Sequence, residues 1–280
     1  MPSPKRILIV DDDPDVHRLL AAALQAPNRH IDSAADGLQG LARVQAAPYD
    51  LVITDVTMPG LSGLELLEQI HKLRPRTRVV VMTVASTPED IIRALRERAF
   101  TYLSKPLNIP AVSQMVDSAL ASTPSDDDIE VLSAQPHWIS LRLRCKAETA
   151  DRILQFLREI AVDLQANEKE KIATAFREIL SNAIEHGGDS DPNKHVFITY
   201  VRGERALLYY VRDPGKGFSF EDIPHAAVSN PTDSPIDHVE VRQQRGMRPG
   251  GFGIFMSRQL VDEMIYNEKG NEVLLIKYLE

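Results

Sequence analysis

The sequence predicts two units in series: a five-stranded, doubly wound parallel α/β sheet, then a mixed α+β layer. Three observations carry this. Residues 5–121 alternate apolar runs with amphipathic helical stretches, the grammar of βα repeats. "STPSDDDIEV", Ser122 to Val131, holds Pro, Ser and three successive Asp without periodicity, and reads as a linker. Beyond it, strands and helices cease to alternate strictly. The expected organisation is a first domain over 1–122, a linker over 123–133 and a second domain over 134–280.

The first unit takes its strands from "ILIV", a weaker "HIDSAA", "LVIT", "VVVMTV" and "TYLS". Near-continuous apolar runs of this kind are what a sheet covered on both faces requires. "VHRLLAAAL" and "LELLEQIHKL" carry helical periodicity between them. In the second unit "HWISLRLRCK" alternates, and the helical stretches "TADRILQFLREIAVDL" and "KEKIATAFREILSNAIEHG" follow. Strands "HVFITYV" and "ALLYYVRD" come next, then a loop from about Phe218 to Pro249. A helix "GIFMSRQLVDEM" and a strand "NEVLLIKYL" close the sequence.

With 43% hydrophobic residues the 280-residue chain can fill two cores, and a net charge of -8 disfavours non-specific nucleic-acid binding. The single cysteine, Cys145, excludes an internal disulfide and fits a reducing compartment; its place in an alternating strand makes it buried filler. No apolar run reaches membrane-spanning length, and "MPSPKRILIV" lacks signal-peptide architecture. The expectation is a cytoplasmic protein with no membrane partner.

Parallel sheets place ligand sites at the carboxyl ends of their strands. The first strand ends in Asp11, Asp12 and Asp13, and the third in Asp55. Asp13 precedes Pro14 and reads as a helix N-cap. Carboxylates converging there repel one another, which an oxygen-seeking divalent cation such as Mg²⁺ relieves. Thr83 and Lys105 end the fourth and fifth strands and supply a hydroxyl and an ammonium suited to a phosphoryl group.

In the second unit Glu178, Asn182 and His186 recur every four residues along the edge of an apolar helical stripe. "VRDPGKGF" sets Asp213, Gly215 and Gly217 just after a strand; "RPGGFGIFM" sets Gly250, Gly251 and Gly253 at a helix start. Glycines admit close backbone approach, and a helix N-terminus favours phosphate. His186 has two readings, a ligand contact or a C-terminal histidine answering the helix dipole. Arg242, Arg245 and Arg248 lie in the long loop, either facing phosphate or an acidic partner or simply solvated.

"ILIVDDDPDV", "DLVITDVTMPGLSGLELL", Thr83 and "YLSKPL" together resemble the receiver domain of bacterial two-component response regulators. That resemblance implies Asp55 as phosphoacceptor, with Asp11, Asp12, Asp55 and the Thr57 backbone carbonyl on Mg²⁺. It also implies Thr83 and Lys105 on the phosphoryl oxygens and Tyr102 as the aromatic switch. Val84 stands where the family usually has a smaller residue, and is expected to narrow access to Asp55. The second unit resembles the Bergerat-fold ATPases, an α/β sandwich, and among them the serine kinases that act as anti-sigma factors. Asn182 is then the Mg²⁺ ligand beside ATP, and Asp213 reads the adenine amino group. Gly215, Gly217, Gly251, Gly253 and His186 line the nucleotide, Glu178 is the general base, and the loop over 218–249 is the lid.

No dimerisation hairpin with a phosphoacceptor histidine precedes this unit, and His137 is not on one, which disfavours autokinase chemistry on histidine. The resemblances imply a response regulator whose aspartyl phosphorylation controls a serine/threonine kinase. Its implied partners are a sensor histidine kinase, an anti-anti-sigma protein as substrate, a sigma factor and a second copy in a homodimer. The rival reading is an ATP-binding, non-catalytic module that sequesters a partner.

Overall fold

The computed structural model describes residues 4–84, 87–121, 128–161, 164–219 and 252–279. The chain divides into two compact units, Met1–Ser125 and Asp126–Glu280.

The first unit is a five-stranded parallel sheet. Its strands are β1 (Lys5–Val10), β2 (Arg29–Ala34), β3 (Leu51–Asp55), β4 (Arg78–Thr83) and β5 (Thr101–Ser104), in the order β2-β1-β3-β4-β5. The helices are α1 (Pro14–Leu24), α2 (Gly37–Ala46), α3 (Gly63–Leu73), α4 (Pro88–Arg96) and α5 (Ile109–Ala121). Ile7 and Ile9 join Leu20, Leu24, Val112 and Val116 in one core, which places α1 and α5 on one face. Leu8 and Val10 point the other way, and a side chain at Gly40 of α2 would press on Val10 and Leu66. Burial on both faces explains why these strands are apolar throughout. The predicted cap holds: Asp13 accepts from the Asp15 N–H at 2.8 Å, with Pro14 in the first turn. Ser62 and Glu65 form a reciprocal capping box that starts α3.

The second unit is a six-stranded antiparallel sheet backed by helices. Its strands are β6 (Ile129–Gln135), β7 (Trp138–Arg144), β8 (His195–Arg202), β9 (Ala206–Arg212), β10 (Glu263–Tyr266) and β11 (Glu272–Tyr278), in the order β10-β11-β9-β8-β7-β6. Helices α6 (Ala147–Ile160), α7 (Ala166–Asn182) and α8 (Gly253–Leu260) accompany it. The inward rows Ile139, Leu141, Leu143, then Val196, Ile198, Tyr200, then Leu207, Tyr209, Val211 are buried. Phe176 of α7 meets Tyr209 with ring centroids 5.5 Å apart, so α7 lies on this sheet face. Lys277 of β11 also ties the first turn of α7 through Glu168 at 2.7 Å. Buried Cys145 is filler as expected, its thiol pushed up to about 11 by burial.

Three boundaries differ from the sequence reading. Residues 129–133, read as linker, belong to β6, where Glu130 lies opposite Arg142 of β7 and forms an ion pair with it. The last helix stops at Leu260 rather than Met264. Val261 is extended, and Met264 pairs with Leu275 across β10 and β11, so strand pairing overrides helical periodicity. Helix α7 ends in a π-helical turn, Ala183–Gly187, instead of continuing as an α-helix.

Candidate functional site

The first group of functional side chains sits where β1, β3 and β5 end. Asp11 is fully buried and Asp55 is 4% exposed. One ammonium serves both: Lys105 Nζ lies 2.9 Å from Asp11 Oδ2 and 2.6 Å from Asp55 Oδ1. The Thr57 N–H donates to Asp55 Oδ2 at 2.8 Å, and the Asp13 N–H to Asp11 Oδ1 at 3.0 Å. His17 Nε2 meets the Asp11 carbonyl at 2.7 Å and steadies the loop after β1. Gly63 is required behind the site, since a Cβ there would overlap the Asp55 carbonyl.

Burial pushes the Asp55 carboxyl above the ordinary carboxylate range, although Lys105 and the Thr57 N–H pull the other way. For Lys105 burial works against the charge. Its hydrogen bonds to Asp55 and Asp11 outweigh that and hold the ammonium above the ordinary lysine range. Two buried carboxylates thus share one cation.

Of the expected Asp11, Asp12 and Asp55, the first and last converge through Lys105, and Asp12 is exposed beside them. Among the described residues no three His, Cys, Asp or Glu side chains are arranged as a metal cage. Mg²⁺ needs no such cage, since it binds through one or two carboxylates and keeps several waters. The uncompensated buried charge of Asp11 and Asp55 suits it. Thr83 is buried at the end of β4, and the Lys105 N–H donates to its carbonyl at 2.7 Å. Tyr102 is fully buried, whereas Val84, after Thr83, is 77% exposed.

The second group lines a cavity of about 360 Å³ in the other unit, in the size range of small-molecule sites. Glu178, Asn182 and His186 come from α7 and the π-turn, Asp213, Gly215 and Gly217 from the loop after β9, and Gly253 from the start of α8. Every predicted nucleotide residue within the described range therefore meets in one place. Gly251, Gly250 and the arginines Arg242, Arg245 and Arg248 lie outside the described residues, as do 220–249 of the expected lid.

The π-turn has a local purpose. Its wider coil, closed by the Gly188 N–H on the Ala183 carbonyl at 2.8 Å, brings Gly187 against Asp213, where any Cβ would overlap the carboxylate. His186 is exposed on the same turn and lines the cavity. Gly253 is equally confined, because a Cβ there would approach Glu178 Oε2 to 2.7 Å.

Asp213 takes the Gly215 N–H on Oδ1 at 2.7 Å, leaving Oδ2 for a ligand. Burial raises its carboxyl above the ordinary range, offset in part by the Gly215 N–H. Such a carboxylate accepts from an exocyclic amino group. Glu178 brings a carboxylate and Asn182 a side-chain amide to the Gly253 side of the cavity, groups that fit a magnesium-bound triphosphate. Sequence reasoning missed Asn271, Tyr266, Phe218 and Lys216. Asn271 is 9% exposed and donates to the Asp213 carbonyl at 3.2 Å across 58 residues, a pairing with no local signal.

Comparison with known proteins agrees with this division. Residues 7–117 match the response regulator receiver domain, and residues 143–277 match the histidine kinase-like ATPase domain. The transcriptional regulatory protein GlrR of Escherichia coli (strain K12) is 32% identical over 126 residues, 45% of this chain and 28% of that protein. The transcriptional regulatory protein TcrA of Mycobacterium tuberculosis (strain ATCC 25618 / H37Rv) is 38% identical over 104 residues, 37% of this chain and 41% of that one. The chain thus spans less than half the length of these curated relatives. A crystal structure of a CheY-like receiver domain protein from Methanospirillum hungatei JF-1 shares 32% identity over 42% of this chain and 94% of that one, with a TM-score of 0.41. Among the described residues no helix is long and apolar enough to cross a membrane. The chain carries a receiver domain followed by a histidine kinase-like ATPase domain.

Asp55 and Asp213 give three predictions. Asp55 has a raised folded pKa, so its ionised form costs stability above the unfolded carboxylate range. Asp55→Asn is expected to raise the receiver's unfolding midpoint at pH 7, with the gain vanishing as pH falls and both states protonate. In the wild type, Mg²⁺ at a hundredfold its Kd adds about 2.7 kcal/mol, and Asp55→Asn loses most of that. Differential scanning calorimetry with and without Mg²⁺ checks both. Asp213 must be ionised to accept an amino group. ATP affinity is expected to fall with decreasing pH sooner than for an ordinary carboxylate, whereas Asp213→Asn binds weakly with no such dependence; titration calorimetry across pH 4–7 decides.

Proposed function

We propose that this chain is a two-component response regulator whose output is an ATP-dependent serine/threonine protein kinase of the anti-sigma type. The observation that carries the reading is the single cavity lined by Glu178, Asn182, Asp213 and Gly253. The family resemblance of the sequence supplies the substrate class, an anti-anti-sigma protein, and a sigma factor as the partner held in check. A sensor histidine kinase is the phosphodonor. The proposed setting is cytoplasmic, and the proposed assembly a homodimer.

In the receiver, an Asp55 carboxylate oxygen attacks the phosphorus of a phosphohistidine. The P–O bond forms as the P–N bond breaks, and the imidazole leaves. Lys105 gives up part of its hold on Asp55 to meet the phosphoryl oxygens, and Thr83 donates its hydroxyl. Asp11, Asp12, Asp55 and the Thr57 carbonyl would hold Mg²⁺, which would offset negative charge on the transferring group. Val84, 77% exposed after Thr83, is proposed to narrow access to Asp55.

In the ATPase unit, Asp213 accepts from the adenine amino group and the glycines let the backbone close on the nucleotide. Asn182 would hold Mg²⁺, which would offset charge on the phosphates. A partner's seryl or threonyl oxygen attacks the γ-phosphorus, Glu178 takes the hydroxyl proton, and the bond to the ADP oxygen breaks. The Glu178 carboxylate lies on the Gly253 side of the cavity, the end that receives phosphate if Asp213 receives the base.

The decisive experiment incubates purified protein, Mg²⁺ and γ-labelled ATP with candidate anti-anti-sigma proteins, with and without acetyl phosphate. Label on a partner serine or threonine is expected, and loading Asp55 is expected to alter its rate. Glu178→Gln should retain ATP and lose transfer by about 10²–10⁴-fold. ATP binding without transfer in either state would instead favour a sequestering module.

A further inference from the structure

A chain of amides begins outside the nucleotide cavity and ends on it. Asn267 follows β10 and does not line the cavity. Its Oδ1 accepts from two backbone N–H groups, those of Asn271 at 3.1 Å and Glu272 at 3.2 Å. A backbone N–H can only donate, so the oxygen of Asn267 must face them. Its amide nitrogen is thereby left on the other side, where it donates to Asn271 Oδ1 at 3.1 Å. With its oxygen engaged, Asn271 turns its nitrogen outward, and that nitrogen donates to the Asp213 carbonyl at 3.2 Å. The Asp213 N–H donates back to the Asn271 carbonyl at 3.0 Å.

Two glycines hold these turns in register. Gly217 and Gly270 have φ of +79° and +75°. A Cβ on Gly217 would overlap the Lys269 carbonyl, and one on Gly270 the Phe218 carbonyl. The two backbones are thus in contact on either side of the amide chain. Asp213, at the end of it, cannot shift alone.

We propose that Asn267 is a positioning residue for nucleobase recognition: together with the Asp213 carbonyl it fixes which way the Asn271 amide faces, and so contributes to the base preference of the site without touching the nucleotide. The inference rests on the nucleotide reading above. One amide hydrogen of Asn271 goes to the Asp213 carbonyl; the proposal assigns the second to the base, alongside the Asp213 carboxylate that lines the same cavity. Adenine presents the complementary pair, an amino donor next to a ring-nitrogen acceptor. Guanine presents a carbonyl acceptor next to an N–H donor and is mismatched. An inverted Asn271 amide would present an acceptor and lose this distinction.

Asn267→Asp tests the idea in the full-length protein. The carboxylate still accepts from both turn N–H groups but has no amide nitrogen to hold the Asn271 oxygen. Binding of ATP and GTP with Mg²⁺ is measured by titration calorimetry, with the thermal unfolding midpoint as a control for folding. The expected result is a folded variant whose preference for ATP over GTP falls about tenfold, the scale of one lost hydrogen bond in a buried network. The added charge would repel both triphosphates alike, so the ratio isolates the amide effect. Should Asn267→Asp not fold, Asn267→Ser keeps an acceptor for the turn without dictating the amide, and the same loss of preference is expected. An unchanged ATP/GTP ratio in a folded variant overturns the inference. Failure of the wild type to bind ATP overturns the nucleotide reading itself.

Discussion

Both units are organised around a carboxylate withdrawn from solvent at the end of a strand, Asp55 buried and Asp213 half-buried. Asp55 closes β3 and Asp213 follows β9. Each is held by the backbone N–H two residues on, Thr57 to Asp55 Oδ2 at 2.8 Å and Gly215 to Asp213 Oδ1 at 2.7 Å. Burial pushes each above the ordinary carboxylate range. That local turn engages one oxygen; the other is held by Lys105 in Asp55 and faces no described hydrogen-bond partner in Asp213. The neighbouring backbone must then come close enough to exclude water. Hence Gly63 behind Asp55 and Gly187 beside Asp213, where no side chain fits.

The two acids are compensated differently. Asp55 has a counter-ion built in, since Lys105 spans it and Asp11. Asp213 has no ion pair among the described contacts and relies on hydrogen bonds. The difference matches the two chemistries. A nucleophile that will be esterified benefits from a cation already placed for the incoming phosphoryl oxygens. A group that reads a neutral amino donor needs an acceptor of fixed direction, which a mobile lysine would compete for.

Much of this was legible in the sequence because the chemistry falls at strand ends and at fixed helical spacing. The run from Asp11 to Asp13, Asp55 and Lys105 could be placed from strand order alone, and Glu178 with Asn182 from a four-residue period. The three adjacent carboxylates divide their tasks: Asp11 is buried, Asp13 caps α1, and Asp12 between them is exposed. Periodicity carried the last helix too far, because Val261 to Tyr266 is claimed by pairing with β11. Asn271 and Asn267 were invisible, since a turn Asn looks alike whether it bonds locally or, as Asn271 does, to a residue 58 positions away. The π-turn was missed for a related reason. Nothing in "AIEHG" marks an extra residue per turn, and it becomes explicable only once Gly187 is seen against Asp213.

Charge completes the argument for a metal at the second cavity. Its described lining includes the carboxylates Glu178, Asp213 and Glu272, and its only lysine is Lys216. A triphosphate entering such a site would meet net negative charge, at close range and in a medium of lowered dielectric, where repulsion is strongest. Asp213 is positioned for the base, but Glu178 lies toward Gly253, at the end assigned to the phosphates. An acid retained there is costly unless a cation accompanies the anion or the acid has a proton to accept. Asn182, one turn after Glu178, supplies a neutral oxygen for the cation without adding charge. The roles proposed for Glu178 as general base and Asn182 as metal ligand therefore support each other electrostatically. Nucleotide affinity in this pocket is accordingly expected to depend steeply on Mg²⁺, more steeply than in a site whose phosphates are met by lysine and arginine.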